Sequence, residues 1–373
     1  MTAMGPASRI SAMDGLRGWA ALSVVIFHFT WELFGGAYPQ FRSLFPAMIG
    51  SGRLAVAIFL TLSGYVLTIR RWRRNDNPPY YLVAFKRYLR LTIPIFVAVM
   101  GFWLLMVLGL TPTKDAARLI PNHYWMGQIA NFRPDFLRAI FFGLAGTYGF
   151  ELRQLYHPFL WTMIVELWGS LIVFALSQTD RWRRAPYVAL VLLAVTFLYV
   201  FPLIACFFLG ALVALLQKDD VLFRDPPGQT ESRIATAIFV AGVVTAAFMH
   251  VRSENFSFAV AQHLWPAALT GTIVVFAAVR SVPVTRLLSL PLSQALGKLS
   301  FPLYLAHGLV AASVAAILVV WTAGYGPIDT FDALLISLAS ILSSLLLAGV
   351  LLPVETLTLS FLKRFEWINP ARA

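Results

Sequence analysis

The sequence predicts an all-α integral membrane protein, a polytopic bundle of about ten transmembrane helices. Its 373 residues are 59% hydrophobic and only 12% charged, whereas about a quarter of the residues in a soluble domain are charged. The mean hydropathy is +0.75. Apolar runs of about 20 residues, the length that crosses a bilayer, follow one another along the chain. We expect residues 1–373 to form one transmembrane domain with no appended soluble domain.

Ten apolar runs carry this prediction. They fall near residues 16–34, 52–70, 91–110, 158–177, 185–200, 202–217, 233–250, 264–280, 299–321 and 331–352. A further run, 136–150, has Arg138 near its start and is short for a span. We predict that this run is re-entrant or interfacial. The segment 218–233 contains the helix breaker Pro226-Pro227-Gly228 and is predicted to connect two halves of the bundle.

The distribution of Lys and Arg predicts the orientation, because cytoplasmic loops are enriched in both. If the N-terminus is cytoplasmic and the chain crosses the membrane ten times, the main clusters of Lys and Arg lie on the cytoplasmic side. The loop 322–331, which has no Lys or Arg, then lies on the outer side. The basic groups lie at 70–90, 181–184, 280–298 and 363–372. Both termini are therefore predicted to be cytoplasmic, in a multi-pass protein of the inner or plasma membrane. The same bias accounts for the net charge of +12, so we expect the lipid bilayer, and not nucleic acid, as a partner.

The cysteine and histidine content argues against a metal site. Cys206 is the only cysteine, which excludes an intramolecular disulfide and disfavours a thiolate site. The histidines are not spaced as a ligand cluster. We expect no metal and no bound cofactor.

Three ionisable residues, Asp14, Arg17 and His28, open and occupy the first run. The step from Arg17 to His28 rotates about 1100°, so both side chains share one helical face about 16 Å apart. Asp14 lies one turn before Arg17 on nearly the same face. Ionisable residues within spans are costly and are usually functional or paired. Alternatively, Arg17 snorkels to the interface, Asp14 caps the helix and His28 bonds to a neighbouring helix.

Other polar residues interrupt the later runs. Glu166 lies near the middle of its run, where a carboxylate needs a partner or a proton. His157 lies at the outer end of the same run, either as an interfacial histidine or as part of an acceptor site. His307 lies a turn or two into its run, with Tyr304 one turn before it. It is either functional or a tethered core histidine.

The cytoplasmic ends of the runs carry further candidates. Ser63 precedes a glycine, and such small pairs often mark only a close helix contact. Glu355 lies at the cytoplasmic end of the last run, where pairing with a basic loop would be a sufficient role. Arg87 and Arg90 lie three residues apart on one helical face. Guanidinium groups so placed suit phosphate oxygens, either of anionic lipid headgroups or of a soluble donor such as coenzyme A.

Five blocks of the sequence resemble, in order, motifs of the membrane-bound acyltransferase-3 family, which includes O-antigen and exopolysaccharide O-acetylases. The blocks are MDGLRGWAALSVVIFH, IFLTLSGYVLT, FKRYLRLTIP, LWTMIVELW and GKLSFPLYLAH. The resemblance extends from residue 11 to about residue 355. Two positions depart from the pattern: Leu167 stands where members often carry a second acidic residue, and Phe301 where they often have Tyr.

The resemblance implies an O-acyltransferase that moves an acyl group from cytoplasmic acyl-CoA to a hydroxyl of a cell-envelope glycan, glycolipid or related acceptor. Acetyl is the acyl group that we expect. Arg17, Arg87 and Arg90, with Tyr304, would bind the donor. His28 would take the proton of the acceptor hydroxyl as it attacks the thioester.

The remaining roles stay open at the level of sequence. Asp14 or Glu166 could orient the imidazole of the general base. Tyr304, His307 or Ser63 could donate a hydrogen bond to the developing oxyanion. An acyl-enzyme on Ser63 or on His28 is a further route.

Two other classes of function are compatible with polar residues inside spans. A transporter would use His28 and Glu166 as a relay, although the sequence shows no repeat symmetry. A membrane scaffold or sensor would tolerate replacement of these residues.

Overall fold

The computed structural model describes residues 6–74, 79–120, 125–149, 156–178, 185–218, 227–252 and 264–364. These residues form helices and connecting turns, with no β-strand among them. In chain order the helices are α1 (Pro6–Phe27), α2 (Leu44–Ile49), α3 (Gly52–Arg74), α4 (Tyr80–Val107), α5 (Thr113–Leu119), α6 (Phe136–Leu144), α7 (Thr162–Leu176), α8 (Pro186–Val200), α9 (Pro202–Lys218), α10 (Gln229–Arg252), α11 (Trp265–Arg280), α12 (Val282–Leu288), α13 (Pro291–Val310), α14 (Ala316–Ala323) and α15 (Thr330–Arg364).

The all-α membrane class is confirmed, because each of the ten apolar runs coincides with helical structure. Among the described residues, five helical segments are long and apolar enough to cross a membrane, and a sixth results if α11 and α12, bent by 94°, count as one span. The five are Leu44–Ile69, Tyr80–Val107, Gln229–Arg252, Pro291–Ala323 and Thr330–Arg364. The count of ten spans and the cytoplasmic termini stay predictions.

Several apolar helices are short. Helices α7 and α8 have 15 residues each and α9 has 17, and at 1.5 Å per residue 15 residues reach about 22 Å. Helix α6, within the run 136–150, has nine residues and reaches only about 13 Å. This helix is therefore too short to cross a bilayer of about 30 Å by itself. The basic residues of 181–184, Pro226 and Arg372 lie outside the described residues.

Close helix crossings hold the bundle together. Helix α1 packs along α13, and at Gly18 and Gly297 a Cβ atom would overlap the backbone of the opposite helix. Helices α3 and α9 cross in the same way at Gly64 and Gly210. Small residues of this kind allow backbones to approach and gain van der Waals contact where no hydrophobic effect drives association.

Two π-helical segments interrupt the long helices. One, His28–Glu32, continues α1, and the other, Ala311–Ala315, joins α13 to α14. The two segments meet in one buried apolar cluster that includes Phe29 and Ala311. A π-segment contains one extra residue per turn and is frequent at functional sites. His28 is the first residue of its segment, and His307 lies one turn before the other segment.

Candidate active site

Six helices, α1, α3, α4, α7, α13 and α15, surround an open cavity that contains about 1040 Å³ of empty space, its mouth included. The cavity brings together residues that are far apart in sequence. Of the predicted site residues it is lined by Arg17, Ser63, Arg87, Arg90, Glu166 and Tyr304. Asp14, His28 and His307 are not part of its lining.

Glu166 organises one wall of the cavity. Its carboxylate forms an ion pair with Arg87, and the two side chains are only 12% and 9% exposed. Ser63 Oγ donates to the same carboxylate oxygen, Oε1, over 2.6 Å. Arg87 Nε donates to Ser170 Oγ over 2.9 Å, and Ser170 in turn donates to the Glu166 carbonyl. Glu166 therefore has its partner in Arg87, across the interface between α7 and α4.

A second group of charges lies on α1, α4 and α15. Arg17 Nη1 lies 3.9 Å from the carboxylate of the exposed Asp14. Glu355 lines the cavity, and its carboxylate interacts electrostatically with Arg90 and Arg17. Among the described lining residues, three arginines thus face two glutamates. Among these lining residues the arginines exceed the glutamates by one, and guanidinium groups bind anionic oxygens.

A buried layer of rings lies beside the cavity. The Phe159 ring lies 3.9 Å from that of His28 and 4.5 Å from that of His307, measured between centroids. The two imidazoles are 5.3 Å apart, and His157 lies 6.3 Å from His307. Three histidines that are distant in sequence thus converge on one aromatic residue.

Tyr304 links this layer to the cavity that it lines. Its hydroxyl donates to the Phe159 carbonyl. Because its single proton is used there, the Thr162 hydroxyl, 2.8 Å away, donates to the tyrosine oxygen. The Tyr304 ring is 5.7 Å from the His307 ring.

Two of the histidines are tethered by backbone carbonyls, which only accept hydrogen bonds. His307 Nδ1 lies 3.3 Å from Leu303 O, and His157 Nε2 lies 2.8 Å from Leu305 O, so these nitrogens donate. The opposite nitrogens, together with His28 Nδ1, are buried without a hydrogen-bond partner among the described residues. An unprotonated imidazole nitrogen without a partner is available to accept a proton.

The turn that carries Phe159 is held on both sides. Tyr156 donates to Asp135 O over 2.7 Å and accepts from Asp135 N over 2.8 Å, which ties the turn to the start of α6. Burial raises the pKa of Tyr156, so its hydroxyl keeps the proton that it donates. On the other side the His157 ring packs against Gly308, where a Cβ atom would overlap the imidazole.

The geometry differs from one expectation drawn from sequence. Neither Asp14 nor Glu166 orients His28, because the first pairs with Arg17 and the second with Arg87. The ring contacts of His28 are instead aromatic, with Phe27, Trp125, Phe159 and His307. The guanidinium groups that pair with the two carboxylates come from α1 and α4.

Sequence reasoning missed three contributors: Phe159, Thr162 and Ser170. Thr162 lies four residues before Glu166 and Ser170 four residues after it, so Thr162, Glu166 and Ser170 share one helical face. That spacing was the available signal. For Phe159 no such signal exists, since its partners come from other helices.

No group of three or more His, Cys, Asp or Glu side chains in the described part of the chain is arranged to hold a metal ion.

Fold and site together define a helical membrane protein with a charged internal cavity beside a buried histidine layer. A family model described as an acyltransferase domain, Acyl_transf_3, matches residues 10–352. The chain therefore belongs to the acyltransferase-3 family and is a membrane acyltransferase, which confirms the resemblance carried by the five sequence blocks. Neither the curated proteins nor the solved structures contain a significant match.

Proposed function

We propose that this protein is a membrane-bound O-acyltransferase that moves an acyl group, acetyl above all, from cytoplasmic acyl-CoA to a hydroxyl of a cell-envelope glycan, glycolipid or related acceptor. One observation carries the proposal: a single cavity exposes Arg17, Arg87 and Arg90 and is bounded by Tyr304, next to the layer that contains His28 and His307.

The arginines are suited to the phosphates of the donor, because guanidinium groups form charge-assisted, often bidentate bonds to phosphate oxygens. Arg87 already uses N–H groups on Glu166 and Ser170. A guanidinium has five N–H donors, so the held Arg87 still has donors to offer. Glu166 then serves as a positioning residue that fixes the direction of this guanidinium.

His28 acts as the general base. The acceptor oxygen attacks the thioester carbonyl carbon, His28 takes the hydroxyl proton, and an oxyanion forms. The C–S bond then breaks and the proton passes to the leaving thiolate, which yields an ester and free coenzyme A. The Tyr304 hydroxyl already gives its single proton to the Phe159 carbonyl, so in this arrangement Tyr304 holds Phe159 and does not donate to the oxyanion.

The first experiment compares cell envelopes from cells in which the gene is deleted, restored, or restored as His28→Ala. Mass spectrometry for base-labile acyl esters should show an ester that is lost on deletion and returns only with the intact protein. The ester gives the acyl mass and the acceptor. His250→Ala is the matched control, because this histidine is on α10, which is not one of the six helices around the cavity; it should restore the ester.

A second assay separates transfer from transport. The purified protein in detergent micelles, where no gradient exists, should transfer labelled acetyl from acetyl-CoA to envelope extract. An envelope ester that depends on the gene, combined with no transfer in micelles from any acyl-CoA, would contradict the proposal and favour the transporter. Full activity of His28→Ala would remove His28 as the base.

A further inference from the structure

We infer that Phe159, held by Tyr304, sets the upper length of the acyl group that the enzyme transfers. The inference rests on the proposed function and names the residue that decides which acyl donors are used. It follows from how the cavity ends.

The cavity stops one helical turn before the histidines. On α1 its lining includes Val24, four residues before His28, and on α13 it includes Tyr304, three residues before His307. Three to four residues of helix correspond to about 4.5–6 Å. A donor seated in the cavity therefore has to extend its acyl end past this boundary to meet His28.

Phe159 fills the space that lies beyond the boundary. Its ring is only 7% exposed and contacts both imidazoles, at 3.9 Å from His28 and 4.5 Å from His307. The His307 and Phe159 rings are nearly parallel, at an interplanar angle of 10°. A thioester carbon that reaches His28 consequently brings its acyl substituent against the Phe159 ring. Each added methylene competes for the volume of that ring.

Tyr304 keeps the ring in place through the main chain. The Tyr304 hydroxyl donates to the Phe159 carbonyl, and Thr162, three residues later, donates to the same hydroxyl oxygen over 2.8 Å. The backbone at Phe159 is thus tied to α13 beside the cavity. Phe159 is a residue of the acyl-binding wall, and Tyr304 positions it.

The test is a competition between acyl donors. Purified protein in detergent is given equal concentrations of acetyl-CoA, butyryl-CoA and octanoyl-CoA. Envelope extract supplies the acceptor, and the ester products are measured by mass spectrometry. Phe159→Ala should raise the ratio of butyryl to acetyl transfer about tenfold or more, the size of discrimination by a methylene in an apolar pocket. Phe159→Leu should raise the ratio less. Phe208→Ala should leave the ratio unchanged, because this fully buried phenylalanine lies on α9, which is not one of the six helices around the cavity.

The outcomes are distinguishable. If the wild type transfers acetyl but Phe159→Ala and Phe159→Leu keep the wild-type ratio, the inference is wrong and the proposed function stands. If the wild type transfers no acyl group from any acyl-CoA, the proposed function fails and the inference fails with it. Should Phe159→Ala not fold, as shown by its size-exclusion profile, the Phe159→Leu ratio decides alone.

Discussion

Glu166 illustrates, at the scale of single residues, how a buried charge gains its role from its partner. Its carboxylate accepts from Arg87 and Ser63, and both members of the ion pair are nearly buried. A buried pair adds little stability over apolar residues, but the loss of one partner leaves an uncompensated charge. Glu166 and Arg87 therefore depend on each other.

This dependence predicts non-additive stability. Arg87→Met leaves the buried Glu166 carboxylate without a compensating charge and with only the Ser63 hydroxyl donating to it, so it should lower the free energy of unfolding by about 3–5 kcal/mol. The double variant Arg87→Met/Glu166→Gln should be destabilised less than Arg87→Met alone. Unfolding in detergent, followed by circular dichroism, measures both. Arg118→Met is the control, because Arg118 pairs with Asp115 at the surface; it should shift the free energy by about 0.5 kcal/mol or less. Equal destabilisation of the single and double variants would contradict the coupling.

Arg90 has a different electrostatic partner from Arg87, and its replacement should affect the KM for acyl-CoA. Its electrostatic partner in the cavity is Glu355, and under the proposed function it binds the donor phosphates. Arg90→Ala should raise the KM for acyl-CoA more than it lowers kcat, because an interaction made equally in ground and transition states affects binding alone. Initial rates at varied acyl-CoA concentration measure both constants. A fall in kcat with unchanged KM would instead assign Arg90 to the chemical step.

At the scale of elements, the helix pair α1 and α13 brings the histidines together. Both helices pass into π-segments near their histidines, and both cross at glycines that admit no side chain. The turn before α7 adds Phe159 and His157 to the same layer. Helix geometry, and not one local motif, creates the layer.

Gly308 on α13 should be the most sensitive glycine of this layer. In Gly308→Ala the new Cβ atom would overlap the His157 ring, so we expect a lower thermal midpoint and loss of transfer. The matched control is Gly349→Ala on α15, where nothing lies within 4 Å of the added Cβ. Because alanine favours a helix interior by about 0.5–1 kcal/mol over glycine, this control should be as stable as the wild type or more so. Equal midpoints for the two variants would show that His157 moves aside freely.

At the scale of the whole molecule, orientation in the membrane decides which substrate reaches which end of the site. The charge bias predicts that the loop 322–331 is outside and that the end of α15 is inside. Tyr325 in this loop and Ser360 near the end of α15 are both exposed. The single native cysteine, Cys206, is fully buried, so introduced cysteines can be labelled in its presence.

Cysteine labelling therefore tests the predicted topology. In intact cells, Tyr325→Cys should react with a membrane-impermeant maleimide, whereas Ser360→Cys should react only after the membrane is permeabilised. The mass of the labelled protein reports the reaction, and the wild type controls for Cys206. Labelling of Ser360→Cys in intact cells would reverse the orientation and place the arginine-lined cavity away from cytoplasmic acyl-CoA.

Much of the architecture follows from local properties of the sequence. The apolar runs predict helices at the positions where they occur, because hydropathy and helix length are set by neighbouring residues. Six of the predicted site residues meet in one cavity, since motifs placed at one end of several spans converge when the spans pack. The Ser63-Gly64 pair combines the two features expected of it: Ser63 donates to Glu166, and Gly64 packs against the backbone of α9.

The sequence alone predicts the helical membrane class, the acyltransferase-3 family and the charged residues of the cavity, because these depend on composition and on spacing along single helices. That Glu166 pairs with Arg87 and not with His28, and that Phe159 packs against both His28 and His307, is visible only in the packed fold. Such contacts join helices that are distant in the chain. The histidine layer depends on the crossing at Gly18 and Gly297 and on the turn before α7, and helical periodicity carries no information about distances between helices.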